Sequence, residues 1–471
     1  MDQRKAPLFE ALRKHVQQNP ISFHVPGHKN GSVFSESSFS NLLSYDLTEL
    51  PHLDDLHQPE GVILQAEQLA SELYQTQYTF FLVNGSTVGN LAMVMSVCQP
   101  GDEIIVQRNS HKSVFNALEL AGAKPIFVSP NYDERTERFS YLDSDVVANV
   151  IENHPHAKAV FLSYPDYFGT TYEIEPIISK AHQVGMAVLV DEAHGAHFPL
   201  SDQFPQSALE LGADLVVHSA HKTLPAMTMG SFLHMNNEHV SYETVKHFLQ
   251  MLQSSSPSYP IMASLDLARQ YVSELSGDDF KTVVKHIESI REALNNLPSV
   301  KVMPILKGVD DPLKITLSST PNHIKQVEKA LHDHRVFPEM VEQHQLLLMV
   351  GLRLKKPNLD WILSLKDSLL LIETIDKHDT MTSVKILSKQ SLEYSYQDLK
   401  RFKTSWATWE EAVGKLAAQS ITPYPPGIPV LIKGERIEED HLKAIEQAQK
   451  YHASIQYNGR NLKEGIEIYI E

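Results

Sequence analysis

The sequence predicts an α/β protein organised around a mainly parallel sheet. Three observations carry that expectation. From residue 62 onward, apolar runs of strand length alternate with stretches of helical period, the pattern of right-handed βαβ units. Two short runs, AVLV at 187–190 and DLVV at 214–217, are apolar almost throughout, as strands covered on both faces are. Both then break into polar residues, Asp191-Glu192-Ala193-His194 and His218-Ser219-Ala220-His221-Lys222, which places those groups at the carboxyl edge of the sheet, where ligands bind in this class of fold.

Taken in order, residues 7–18 have helical spacing, with Pro7 tolerated in a first turn. The loop FHVPGHKNG (23–31) and the acidic loop DLTELPHLDDLHQPEG (46–61) follow, and together they read as an ordered arm spanning 1–61. The alternation then predicts a helix over 62–74, a strand over 79–83, a helix to Cys98, a strand over 103–106, a helix over 110–121 and a strand over 125–128. It continues with a helix over 146–152, a strand over 159–164 and a helix over 176–184. After Lys222 come a strand over 230–235, a helix over 242–252, a break at Ser254-Ser255-Ser256-Pro257 and helical patterns from 260 to 297. Thus 62–298 forms a large domain. A smaller α+β domain is expected over 299–380, with strands at 300–303, 313–317 and 346–350 and helices at 323–332 and 359–375. A linker near 376–383 leads to a C-terminal piece over 381–471.

Bulk properties narrow the function classes. The 471 residues carry a net charge of −17 and are 42% hydrophobic, so the chain is globular and ill-suited to nonspecific binding of nucleic acid or anionic membrane. The one cysteine, Cys98, allows no internal disulfide and lies in an apolar run, as a buried structural thiol does. No apolar segment reaches the roughly 18 residues of a membrane span and the amino terminus has no secretory pattern, so a cytosolic protein is expected.

The predicted edge gathers a carboxylate, imidazoles, a hydroxyl and an amine. That set suits a cofactor bearing a basic ring nitrogen, a phosphate and an aldehyde, which describes pyridoxal 5'-phosphate. Asn84-Gly85-Ser86-Thr87 follows a strand and opens a helix, so its backbone N–H groups and hydroxyls can cup an anion. Asp191 reads either as a helix N-cap or as the partner of a pyridinium nitrogen. Lys222 follows a buried strand and Ser219-x-His221, an unusual setting for a surface lysine and a suitable one for Schiff-base chemistry. His111, in RNSHKS (108–113), either stacks on a flat ring or is an exposed helix-start histidine.

Together these pieces resemble the Orn/Lys/Arg decarboxylase family of fold type I pyridoxal phosphate enzymes, in the short bacterial form without an N-terminal receiver-like domain. The matching motifs are FHVPGHK (23–29), LDDLHQPEG (53–61), NGST (84–87), RNSHKS (108–113), DEAHGAH (191–197), SAHK (219–222), SSSPSY (254–259) and YPPGIP (424–429), in the family's order across nearly the whole chain. The resemblance implies a large domain with a mainly parallel seven-stranded sheet and smaller α+β C-terminal domains. It implies that Lys222 carries the cofactor as a Schiff base, Asp191 binds the pyridinium nitrogen and His111 stacks on the ring. Ser86, Thr87, Ser219 and His221 would hold the phosphate, beside Gly85 and Ala193, and His194 would handle protons. Ser255 or Ser256 would reach the phosphate of a neighbouring subunit, making the enzyme a homodimer with shared sites. The implied reaction is decarboxylation of arginine, lysine or ornithine to agmatine, cadaverine or putrescine.

Three positions depart from the family pattern: Asp166 stands where relatives carry Thr, Met229 where they often carry Gln, and Gly351-Leu352-Arg353-Leu354 resembles an aminotransferase segment whose Arg holds the α-carboxylate. Asp166, with Asp54 and Asp55, is a candidate for the distal cation of a basic substrate. Arg353 reads as a surface strand-end arginine. An aminotransferase or aldolase on the same fold is the main alternative. Residues 191–194 also spell the DEAH of a helicase, but no G-x-x-x-x-G-K-[ST] loop exists to cradle nucleotide phosphates. No metal site is expected.

Overall fold

The computed structural model describes residues 1–34, 37–236, 239–298, 300–342, 344–370, 389–424, 428–450, 454–457 and 461–470. The expected linker at 376–383 and residues 425–427 of YPPGIP lie outside these. The chain forms two compact units, Met1–Val97 with Ile174–Phe280 and Cys98–Glu173 with Lys281–Glu471. In chain order the strands are β1 (Tyr78–Leu82), β2 (Glu103–Gln107), β3 (Lys124–Val128), β4 (Asn131–Asp133), β5 (Arg138–Tyr141), β6 (Ala159–Ser163), β7 (Ala187–Asp191), β8 (Leu215–His218) and β9 (Ser231–Met235). They continue with β10 (Lys301–Val302), β11 (Lys314–Ser318), β12 (Met340–Val341), β13 (Gln345–Met349) and β14 (Lys389–Ser391).

In the first unit the strands run in the order β1-β9-β8-β7. β7 and β8 are parallel, with Asp191 opposite Val217, whereas β9 is antiparallel to both of its neighbours. Every residue of β7, β8 and β9 is buried, which explains their apolar character. Helix Gly85–Val97 lies directly on β8: a Cβ at Gly89 would stand 2.6 Å from Val217 Cγ2, so only glycine permits this approach. Ser241 and Ser258 cap helices Tyr242–Leu252 and Tyr259–Ser273, each accepting a backbone N–H at its third residue. The helical pattern expected over 260–297 resolves into Tyr259–Ser273 and Gly277–Leu294, parted by a short break.

In the second unit β6, β2 and β3 are parallel neighbours, and β14 adds an antiparallel strand beside β3. The seven strands expected of the large domain are therefore all present, four in one unit and three in the other. β14, which comes from the C-terminal part of the chain, was not among the expected strands; three residues with no apolar alternation gave no sequence signal. The β4–β5 hairpin was also absent from the sequence reading, because polar NYDERTERFSY has no clean period. A four-stranded antiparallel sheet, β10-β11-β13-β12, forms the α+β part expected after residue 299. The C-terminal piece has its own small core of Ala407, Ala412, Ala417, Ile421, Leu431, Ile437, Ile445, Leu462 and Ile466. Cys98 is buried, and burial pushes its thiol up to about 12.

Candidate active site

The carboxyl ends of β7 and β8 carry the centre of the site. Asp191 is the last residue of β7 and 8% exposed. One of its oxygens accepts from Asn90 Nδ2 at 2.8 Å and the other from Ala193 N at 3.2 Å. Burial disfavours a carboxylate unless donors hold its charge, and these two do so. Beyond β8, the single-turn helix Ala220–Thr223 carries Lys222, whose Nζ lies 3.0 Å from His194 Nε2. His194 is itself buried, so the amine and imidazole meet in a partly desolvated place.

A hydroxyl cluster lies at the start of helix Gly85–Val97. Ser86 Oγ is 2.7 Å from Ser219 Oγ and donates to Ser231 Oγ at 3.2 Å. Gly85 has φ +75°, and a Cβ built on it would meet nothing within 4 Å. Glycine thus supplies the left-handed turn and leaves an open cradle above the first N–H groups of a 13-residue helix. Thr87, on the same turn, is exposed. His221 Nδ1 lies 3.0 Å from the carbonyl of Gly230; burial lowers its pKa, against that hydrogen bond and with the nearby Lys222 charge. Ser255 and Ser256 are exposed on a loop whose Ser254 N donates to Asn84 Oδ1 at 3.3 Å.

Beneath the strand ends runs a buried polar chain that the sequence reading missed. Glu192, fully buried, accepts from Ser207 Oγ at 2.5 Å and Ala208 N at 2.9 Å, and pairs with His218 Nε2 at 2.7 Å. His218 Nδ1 meets His234 Nε2 at 3.0 Å, and His234 Nδ1 meets Thr79 Oγ1 at 2.8 Å. Burial, and to a lesser extent neighbouring His218, holds the His234 pKa well below its usual value. The chain fixes the turn that presents Asp191 and His194. Asn90, also missed, is the one amide in GSTVGNLAMVMSV, directly before the apolar run LAMVM, a signal that could have found it.

Within the second unit, His111 is exposed and is the N-cap of helix Lys112–Ala121, its Nδ1 2.8 Å from Ser113 Oγ and accepting from Ser113 N. Three residues earlier, Arg108 is buried and forms a bidentate pair with Glu435 while donating to the carbonyls of Pro429 and Val430. Asp166 is not available to a substrate cation. Its carboxylate accepts from Arg138 Nε at 3.1 Å, Ser140 Oγ at 2.6 Å and Thr170 N at 2.8 Å, so a loop-side acid became a structural one. Asp54 is likewise consumed, accepting the backbone N–H groups of Asp55, Glu60, Gly61 and Ile63 ahead of helix Val62–Tyr74. Arg353 is exposed.

Residues 6–310 match the family model described as Orn/Lys/Arg decarboxylase, major domain, and 378–456 match that family's C-terminal domain. The chain belongs to the Orn/Lys/Arg decarboxylase family. It is 42% identical to the uncharacterized protein YaaO of Bacillus subtilis, across 99% of this chain and 98% of that one. It is 33% identical to the arginine decarboxylase of Bacillus anthracis, across 95% and 94% respectively. Among solved structures, the Francisella novicida lysine decarboxylase LdcF superposes with a TM-score of 0.80 at 19% identity, covering 98% of this chain and 80% of that one. Serine palmitoyltransferase of Sphingomonas wittichii superposes with a TM-score of 0.52 at 15% identity, covering 65% of this chain and 75% of that one. The fold is that of fold type I pyridoxal phosphate enzymes, and this family member is a pyridoxal-phosphate-dependent decarboxylase.

The residues present fit that cofactor. Lys222 could hold its aldehyde, Asp191 its ring nitrogen, and the Gly85 cradle with Ser86, Ser219 and His221 its phosphate. No helix among the described residues is long and apolar enough to cross a membrane.

Proposed function

We propose that this enzyme decarboxylates a basic L-amino acid, with arginine the first substrate to test. The observation that carries the reading is the convergence of an amine, an imidazole and a buried carboxylate at the carboxyl ends of two adjacent parallel strands, with Lys222 Nζ 3.0 Å from His194 Nε2. Arginine is favoured by the Bacillus relatives named arginine decarboxylase, which are about as long as this chain.

Bound pyridoxal phosphate supplies the sink for the electron pair left behind by carbon dioxide. Lys222 would hold the cofactor through its amine, 3.0 Å from His194 Nε2. His194 takes or returns the proton at Lys222 Nζ, so that the amine is a nucleophile when needed. Asp191 would hold the ring nitrogen in its protonated form, and Asn90 and Ala193 N fix the carboxylate that does so. Ser86, Thr87, Ser219 and His221 would hold the phosphate, and the family resemblance gives His111 the role of stacking on the ring. The same reading makes the enzyme a homodimer in which exposed Ser255 or Ser256 reaches the neighbour's phosphate.

The test is carbon dioxide release from arginine, lysine and ornithine by purified holoenzyme, with product analysis. Agmatine from arginine, abolished in Lys222→Ala together with the visible band of bound cofactor, supports the reading. A keto acid, or an aldehyde with glycine, overturns it.

A further inference from the structure

At the opposite end of β8 three side chains from three elements converge. His182 comes from the last turn of helix Glu175–Gln183, Asp214 immediately precedes β8, and His239 follows β9. His182 Nε2 lies 3.0 Å from Asp214 Oδ2 and His239 Nδ1 lies 2.8 Å from Asp214 Oδ1. All three donor atoms lie within 4.8 Å of one another. The two imidazole rings stack, with centroids 4.5 Å apart and planes 27° from parallel. We infer that His182, Asp214 and His239 form a binding site for a divalent transition metal of the zinc class.

Three features support a built site over a chance meeting. First, the carboxylate is fixed in place. Asp214 is 1% exposed, its Oδ2 also accepts Val188 N at 2.5 Å, and its backbone bonds to Val188 O and from Asn236 N. Second, exposure is graded. The Asp214 side chain is fully buried, whereas those of His182 and His239 are 25% and 43% exposed, so the open side faces solvent and leaves room for water in a fourth position. Third, the donor chemistry selects the ion. Two imidazoles and one carboxylate suit zinc-like cations; magnesium and calcium prefer all-oxygen sets and copper(I) prefers sulfur. In a tetrahedral site with bonds of about 2.0–2.1 Å, donor atoms stand roughly 3.3 Å apart, and the two imidazole–carboxylate distances of 3.0 and 2.8 Å fall within a few tenths of an ångström of that.

The ion takes the place of the two N–H protons that now face the carboxylate. A neutral ring moves its proton to its other nitrogen, and a protonated ring releases one, so binding weakens as pH falls. Four strand residues, about 13 Å, separate Asp214 from the carboxyl end of β8, where Lys222 follows. The site therefore stands apart from the proposed chemistry at Lys222.

The test uses full-length holoenzyme stripped with a chelator and titrated with zinc chloride against a chromogenic competitor, with metal counted per chain after desalting. One zinc per chain is expected, bound at least tenfold more weakly by His182→Ala/His239→Ala. The single variant His239→Ala, at a half-exposed position, should fold normally, keep the visible band of bound cofactor, and still lose affinity. Cobalt(II) should give the visible absorption of a tetrahedral site in the parent protein and not in the double variant. Equal zinc stoichiometry and affinity in parent and double variant would assign the metal to other histidines and overturn the inference, as would the failure of the parent to retain zinc.

Discussion

Replacing Glu435 by Gln isolates the charge of one buried pair. Arg108 and Glu435 have side chains 3% and 0% exposed, and the guanidinium meets both carboxylate oxygens. The amide keeps the volume and can still accept from Ile432 N, which donates to Glu435 at 2.7 Å. Arg108 keeps its bonds to the carbonyls of Pro429 at 3.2 Å and Val430 at 3.1 Å, but loses its counter-charge. Leaving one member of such a pair buried and uncompensated costs about 3–5 kcal/mol. For a unit of this size each kcal/mol shifts the melting temperature by about 2 °C, so Glu435→Gln should melt roughly 6–10 °C below the parent. The assay is thermal unfolding of the holoenzyme followed by circular dichroism. The double variant Arg108→Met/Glu435→Met should recover most of the loss, since no charge remains buried. A single variant within 2 °C of the parent, or a double variant as unstable as the single, would refute the argument that charge compensation matters here. Arg108 lies three residues before His111, so Glu435 of the C-terminal piece anchors the loop that carries this histidine.

Removing the Asn90 donor by Asn90→Ala should weaken cofactor binding about 10–100-fold, the range for one hydrogen bond to a charged group, as read by equilibrium dialysis of pyridoxal phosphate. Gly85→Ala places a side chain at φ +75°; with open space around the new Cβ, backbone strain of about 1–2 kcal/mol is the only folding cost, and urea denaturation should show a loss of that size. His234 carries a pH signature. Its folded pKa lies well below the unfolded value of 6.5, so the unfolded chain binds its proton first, and the histidine's contribution to stability is intact above pH 6.5 and lost as pH falls below it. Denaturation midpoints of His234→Asn should therefore fall less steeply below pH 6.5 than those of the parent; identical slopes would show that the buried chain does not titrate through this ring.

Much of the fold was legible in the order of residues. Helices Val62–Tyr74 and Tyr242–Leu252 have the bounds their apolar spacing predicts, and β2, β3, β6 and β9 lie within about a residue of theirs. Asp191 and Lys222 could be singled out because an abrupt change from apolar to polar at a strand end is a local feature of the chain. What periodicity reports is which side of its own element a residue occupies. It does not say which distant group fills a carboxylate's lone pairs, and that decided the fate of the acids: Asp191 received Asn90, Glu192 received His218 and Ser207, and Asp166 was consumed by Arg138, Ser140 and Thr170.

The amino-acid order alone determined the alternation of strand and helix, the polar strand ends and the family motifs, since each follows from burial and spacing within a few residues. Tertiary structure alone decided the Arg108–Glu435 anchor across 327 positions and the meeting of His182, Asp214 and His239. Those contacts depend on how separate elements cross, and a buried charge takes whichever partner that crossing brings within hydrogen-bond reach.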